Sequence, residues 1–353
     1  MVKANTPSDL RNEGAPSRRG FTLGLAAGFL LSGCASGDQG AVADPEPFEI
    51  IDFHAHALPP GLAAPPPPDA PLPPEMRQII ADMANPQRLI QALSSQGVDR
   101  RIVSVPLEAI PLRPGETGTD RMRRINDAVA ALCAADDRLS GLATIEAYAG
   151  DAGAEELIRA IDQLGLVGCF VESANGTQLI ADAVARPTLT AAAERGLPVF
   201  VHPVQDMTLS AKYRVNSFYQ MNLGRAAITS VALAAMIESD VFESLPNLSV
   251  CFSSFAISAL VLGGLFDMSR PDAKALLRKH VHVDTVGLSA TMLTTMRDLV
   301  GIEHMLLGTD WPVFSGYSVR DRLIKATAEA GFSNRERALI ASGNARRLFT
   351  LLN

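Results

Sequence analysis

Eight short apolar runs alternate with helix-like segments along this chain, and several of the runs end on side chains that bind metal ions. Strands are expected at residues 48–53, 101–105, 139–145, 167–171, 199–202, 248–253, 281–284 and 305–308. Helices are expected at 86–96, 120–135, 154–164, 187–195, 224–238, 290–300, 319–330 and 334–351. Strand–helix units repeated in this way build a parallel sheet, because each helix carries the chain back to start the next strand alongside the last. Eight such strands close on themselves. The expected fold is therefore α/β, a single-domain (β/α)8 TIM barrel, whose functional face lies at the carboxyl ends of the strands.

The first run leads into Asp52-Phe53-His54-Ala55-His56. Alternate residues of a strand share a face, so His54 and His56 can enter one pocket from a single strand end. His202 closes the run that starts at Leu197, and Asp310 follows the run Met305-Leu306-Leu307, which supplies a third and a fourth donor. Imidazole nitrogens at roughly 2.0–2.1 Å and a carboxylate oxygen at about 2.0–2.2 Å are what zinc accepts. Manganese, iron and cobalt suit the same donors. One divalent ion, zinc first, is expected on His54, His56, His202 and Asp310. Asp284 and Glu172 are further carboxylates at strand ends. Asp284 is expected either to handle a proton or to hydrogen-bond a neighbouring ligand. His280 and His282 precede Asp284 on its run and should lie deeper in the barrel as structural residues, and His304 reads as a loop or helix-end residue.

With these residues goes a set of intervening segments: Asn126-Asp127-Ala128-Val129, Gly141-Leu142-Ala143-Thr144, Gly165-Leu166-Val167-Gly168, Leu245-Pro246-Asn247-Leu248 and Gly343-Asn344-Ala345-Arg346-Arg347-Leu348-Phe349. From about Phe48 to the end, the chain resembles the amidohydrolase superfamily. Within it, the resemblance is to the amidohydrolase-related subgroup that includes aminocarboxymuconate-semialdehyde decarboxylase and the resorcylate-type decarboxylases. It implies a metal-dependent enzyme acting on a small molecule, and it implies self-association. Members of that subgroup carry Ala-His-Gly-Gly where this chain reads Ser253-Ser254-Phe255-Ala256, so Ser254 stands in the place of a histidine. A serine hydroxyl orients water but does not exchange protons near neutral pH as imidazole does.

Three functions are open to such a site. Hydrolysis by metal-activated water on a carboxylate-bearing substrate is expected first, with Asp284 handling the proton and Ser254 at most positioning water or substrate. Non-oxidative decarboxylation of an aromatic or unsaturated acid is the alternative that the resemblance implies. The loss of the histidine allows a third, a metal-binding barrel without catalysis. Arg214, in the long segment after His202, is a candidate to grip a substrate carboxylate in its planar fork. Trp311, the only tryptophan, is expected to wall the pocket.

The N-terminus reads as an address. Ser17-Arg18-Arg19-Gly20-Phe21-Thr22-Leu23 resembles a twin-arginine export signal, followed by an apolar run too short to span a bilayer. Leu31-Ser32-Gly33-Cys34 has the form of a lipobox. Residues 1–33 are thus expected to be cleaved, with lipid on Cys34 and residues 34–47 as a tether to a barrel over 48–353. A periplasmic or cell-envelope lipoprotein follows, and Ala35 favours the outer membrane. The full chain carries a formal charge of −7, of which the leader contributes +2, leaving −9. That balance, without any basic stripe, argues against nucleic-acid binding. Cys133, Cys169 and Cys251 remain in apolar surroundings and do not read as a disulfide framework. Nine prolines between Pro59 and Pro74 preclude a helix there and place an extended loop directly after the first strand, as a lid or rim over the pocket.

Overall fold

The apolar runs pair edge to edge in chain order. A computed structural model describes residues 48–62, 66, 72, 74–205, 218–261 and 268–352. Its strands are β1 (Ile51–His56), β2 (Arg100–Ser104), β3 (Leu139–Gly141, resumed at Ala143–Thr144), β4 (Cys169–Glu172), β5 (Pro198–His202), β6 (Ser249–Phe252), β7 (Val281–Asp284) and β8 (Met305–Leu306). Each pairs in parallel with the next. The ring closes between β8 and β1, where Phe53 N–H donates to Leu307 O (2.9 Å), Asp310 N–H to His54 O (2.8 Å) and His56 N–H to Trp311 O (2.7 Å). The result is the TIM-barrel-like α/β fold expected from the alternation.

Closure depends on a glycine. A Cβ on Gly308 would lie 2.8 Å from His54 Cβ and 2.9 Å from Asp284 Cβ, so only glycine lets β8 approach β1 and β7 this closely. The barrel interior is filled by Ile51, Phe53, Ile102, Leu142, Phe170, Phe200, Cys251 and Leu306, with Phe349 packed against it from the C-terminal segment. Phe53 and Phe200 meet edge-on at 5.0 Å, and Phe170 lies 5.6 Å from Phe200. This aromatic layer lies against the histidines, with His54 4.7 Å from Phe200 and His202 4.9 Å from Phe170 between ring centres.

Several boundaries differ from expectation. β1 runs three residues further than 48–53 and takes in both histidines, because Ala55 and His56 pair with Val103 and Ser104. His280 is the last residue of a helix, Ala273–His280, rather than part of the strand of Asp284. The expected 334–351 helix is broken, since Leu307 N–H bonds Ile340 O and Asn344 Nδ2 donates to Ile302 O and Met305 O. The proline-rich segment lies largely outside the described residues, but it leads into an unexpected helix, Pro74–Met83, with proline at its first turn.

Asp52 and Arg101 form a fully buried ion pair at 2.9 Å. Arg101 also donates to Gln96 Oε1 (2.7 Å), while Asp52 accepts from Thr309 N (2.9 Å) and Thr309 Oγ1 (2.7 Å). The pair thus ties β1 and β2 to the residue that precedes Asp310. Removing one partner strands the other charge in the core, so Arg101→Met should lower unfolding free energy by about 3–5 kcal/mol, as read from urea denaturation.

Candidate metal centre

His54, His56 and His202 come together as buried donors at the ends of β1 and β5. His54 Nε2 lies 3.3 Å from His56 Nε2, which lies 3.2 Å from His202 Nε2. Asp310 Oδ1 is 3.2 Å from His56 Nε2 and 3.6 Å from His54 Nε2. Donors bound to one ion at roughly 2.1 Å lie about 3.0–3.4 Å apart, so the histidine spacings match a shared cation, and Asp310 adjoins the group at 3.2 and 3.6 Å. Asp310 adopts φ 58°, a left-handed conformation uncommon outside glycine, which turns its carboxylate back to the histidines of β1.

The tautomers point the same way. His54 Nδ1–H donates to Asp284 Oδ2 at 2.6 Å. His56 Nδ1–H donates to Ser104 Oγ at 3.1 Å, whose own hydrogen goes to Ala55 O at 3.2 Å. Both Nε2 atoms are then unprotonated, and their lone pairs face each other. Burial and the neighbouring imidazoles hold His202 far below its ordinary pKa, and burial lowers His56 as well. Burial also opposes charge on His54, but the bond to Asp284 and the charge of Asp310 outweigh it and raise its pKa. Most of the cluster therefore stays neutral and electron-rich near pH 7, as metal ligands must. These residues fit a divalent cation.

Asp284 is fully buried and fully engaged. Besides His54, it accepts from the backbone N–H of Ser254 (2.8 Å) and Val286 (3.2 Å). A carboxylate held this way fixes the tautomer and orientation of the imidazole it touches. Ser254 thus enters the site through its backbone. Ser253 and Phe255, not Ser254, line the cavity over the donors.

That cavity encloses about 370 Å³. Leu58, Ile79, Ile80, Met83, Phe255 and Val313 give it apolar walls, and Glu108, Asn222 and Arg225 add polar groups. Helix Pro74–Met83 supplies part of the wall, and the proline-rich loop expected over the pocket lies largely outside the described residues. Trp311 does not line the pocket. Its side chain is buried towards a neighbouring cavity lined by Gln96, Tyr317 and Ser318, with the Arg101 guanidinium 5.2 Å from its ring. Glu172 faces a third cavity, with Glu146 and Tyr148, and accepts from Glu108 N–H at 2.8 Å. Burial pushes its carboxyl up to about 7. Arg214 and Cys34 lie outside the described residues. His282 is buried near His304, and His280 stacks on Phe242, both away from the four donors. Ser104 and Arg225 were not anticipated. Ser104 sits at a strand end and was open to the same reasoning, whereas Arg225 lies within helix Phe218–Glu238 and carries no such local signal.

Sequence comparison agrees with this geometry. The sequence model of the Amidohydrolase family matches residues 51–351. The chain belongs to that family. It is 28% identical over 286 residues to 2-amino-3-carboxymuconate-6-semialdehyde decarboxylase of Dictyostelium discoideum, covering 76% of this chain and 77% of that protein. It is 27% identical over 304 residues to gamma-resorcylate decarboxylase of Rhodococcus jostii (strain RHA1), covering 78% of this chain and 87% of that protein. In fold, it matches a dihydroxybenzoic acid decarboxylase of Polaromonas sp. JS666 with a TM-score of 0.72, at 18% identity, over 87% of this chain and 98% of that one. That structure holds manganese and the inhibitor 2-nitroresorcinol.

Two outcomes follow from the site. Asp284→Asn should weaken divalent-metal affinity by about 10- to 100-fold, because the partner that orients His54 loses its charge. Ser254→Ala, which keeps the backbone N–H, should change it by less than about threefold; titration against a competing chelator reads both. Glu172 binds its proton more tightly folded than unfolded, so its contribution to stability is present below about pH 4.5 and is lost as pH rises through about 7. Glu172→Gln should remove on the order of 3 kcal/mol of that pH dependence, measured by denaturation at pH 5 and pH 8.

Proposed function

We propose that the chain is a metal-dependent carboxy-lyase that removes carbon dioxide, without an oxidant, from a small aromatic or unsaturated carboxylic acid. One observation carries the reading: three buried histidines, with Asp310 beside them, open onto an apolar-walled cavity, in a chain whose reported relatives are named decarboxylases. Hydrolysis, expected first from the sequence, rests on the donor set alone. The non-catalytic reading is disfavoured by Asp284 and Ser104, which orient His54 and His56.

His54, His56, His202 and Asp310 would hold the ion. When bound, it supplies positive charge that draws in a carboxylate and stabilises negative charge developing on the substrate. Zinc is the expectation from the donor set, and the Polaromonas neighbour holds manganese. Loss of carbon dioxide breaks the bond between the carboxyl carbon and its neighbour, leaving the electron pair on that neighbouring carbon. A proton must meet it there. Asp284 has no oxygen to spare, since it accepts from His54, Ser254 and Val286. Asp310 lines the cavity with its side chain 14% exposed; burial opposes its charge, but the bond to His56 and the charge of His54 hold its carboxyl below the usual carboxylate range, so it is placed to take a proton from substrate or solvent and relay it to that carbon rather than to store one. Asp284 orients His54, and the apolar walls keep bulk water from competing.

The address belongs to the same proposal. The twin-arginine and lipobox motifs support export of the enzyme in folded form, with its metal, and retention at the envelope through lipid on Cys34. Globomycin-sensitive processing together with membrane fractionation tests that address.

Purified metal-loaded protein should release carbon dioxide from 2,6-dihydroxybenzoate-like or carboxymuconate-like acids. Asp310→Asn should cut kcat by about 100- to 10,000-fold, and His202→Ala should abolish activity and bound metal together. Hydrolysis of an ester or lactone panel with no carbon dioxide from any acid would overturn the assignment.

A further inference from the structure

We infer that Arg225 selects the substrate by holding a second acidic group, one that stays on the molecule, and that Glu108 competes for this arginine and so sets the strength of the hold. The inference rests on the carboxy-lyase reading of the same cavity. Among the described residues that line it, Arg225 is the only arginine or lysine.

Arg225 is aimed from two sides. Its Nη1 donates to Pro203 O at 2.7 Å, directly after the ligand His202, and its Nη2 donates to Glu108 Oε1 at 2.7 Å. A guanidinium has five N–H groups, so these two bonds position the fork without using it up. The side chain is 19% exposed, and Glu108 across from it is 36% exposed, so a ligand in the cavity can reach both.

With an ion in place, the cavity has two positive poles. One is the donor cluster, where the departing carboxylate belongs. The other is Arg225. The same cavity is walled by Leu58, Ile79, Met83 and Phe255, which suit a flat unsaturated body. The ligand class is thus a small planar acid with two anionic groups. An anion arriving at Arg225 must share it with Glu108, and that carboxylate repels the newcomer. Removing the charge on Glu108 should strengthen binding, whereas removing Arg225 should weaken it. A purely structural ion pair predicts losses from both changes.

The test measures Kd by calorimetry on metal-loaded protein for benzoate and for the 1,2-, 1,3- and 1,4-benzenedicarboxylates. Benzoate is the internal control, because faults in folding or metal loading affect both kinds of ligand. At least one dicarboxylate should bind about 10-fold or more tightly than benzoate, as an added charge-assisted bidentate contact allows. That preference should fall to within about twofold of unity in Arg225→Met. It should be intermediate in Arg225→Lys and should rise in Glu108→Gln. If Arg225→Met does not fold, the opposite shifts in Arg225→Lys and Glu108→Gln still decide. No preference in the native protein, a preference indifferent to Arg225, or a loss in Glu108→Gln would overturn the inference. The expected pattern in a protein that releases no carbon dioxide would uphold Arg225 and reject only the carboxy-lyase reading.

Discussion

Imidazole nitrogens that face one another with bare lone pairs repel, and a cation between them turns the repulsion into binding. At 3.3 Å between His54 and His56, and 3.2 Å between His56 and His202, this constraint organises the whole open face of the barrel. Asp284 and Ser104 commit the Nδ1 protons to one side, so the Nε2 atoms have no other use than to bind. The four proposed donors come from β1, β5 and the segment after β8, elements brought together only because the ring closes.

Closure in turn depends on small local features. Gly308 lets β8 lie against both His54 and Asp284, and the buried Asp52–Arg101 pair holds Thr309 beside it. The left-handed turn at Asp310 then directs one side chain into the site and sends the next, Trp311, towards Gln96. Beneath the donors, Phe53, Phe170 and Phe200 fix the imidazole planes by packing. Stability and chemistry therefore draw on the same few residues, so substitutions beneath the site will disturb metal binding through orientation as well as folding.

The fold and the donor set were legible because both follow local rules. Alternation along β1 places His54 and His56 on one side, and the strand-end rule points to His202, Asp310 and Asp284. What was not legible depends on packing between distant segments. Arg225 lies in mid-helix, and only the three-dimensional path of that helix brings it to the cavity. Trp311 was expected to wall the pocket because it follows Asp310, but successive side chains diverge there, and Trp311 packs by the Arg101 guanidinium instead. Ser254, expected to stand in the place of a histidine, gives Asp284 a peptide N–H, which any residue but proline would supply. Helix Pro74–Met83 was hidden by the prolines ahead of it, since they mask a good first-turn proline as one more member of a loop.

The central claim is that three imidazoles and one carboxylate share a single ion. X-ray absorption spectroscopy of the metal-loaded protein measures this most directly. The account predicts a shell of nitrogen and oxygen donors at about 2.0–2.2 Å with the outer-shell scattering of three imidazoles. Sulfur in that shell, fewer than two imidazoles, or protein that takes up no stoichiometric metal would contradict it.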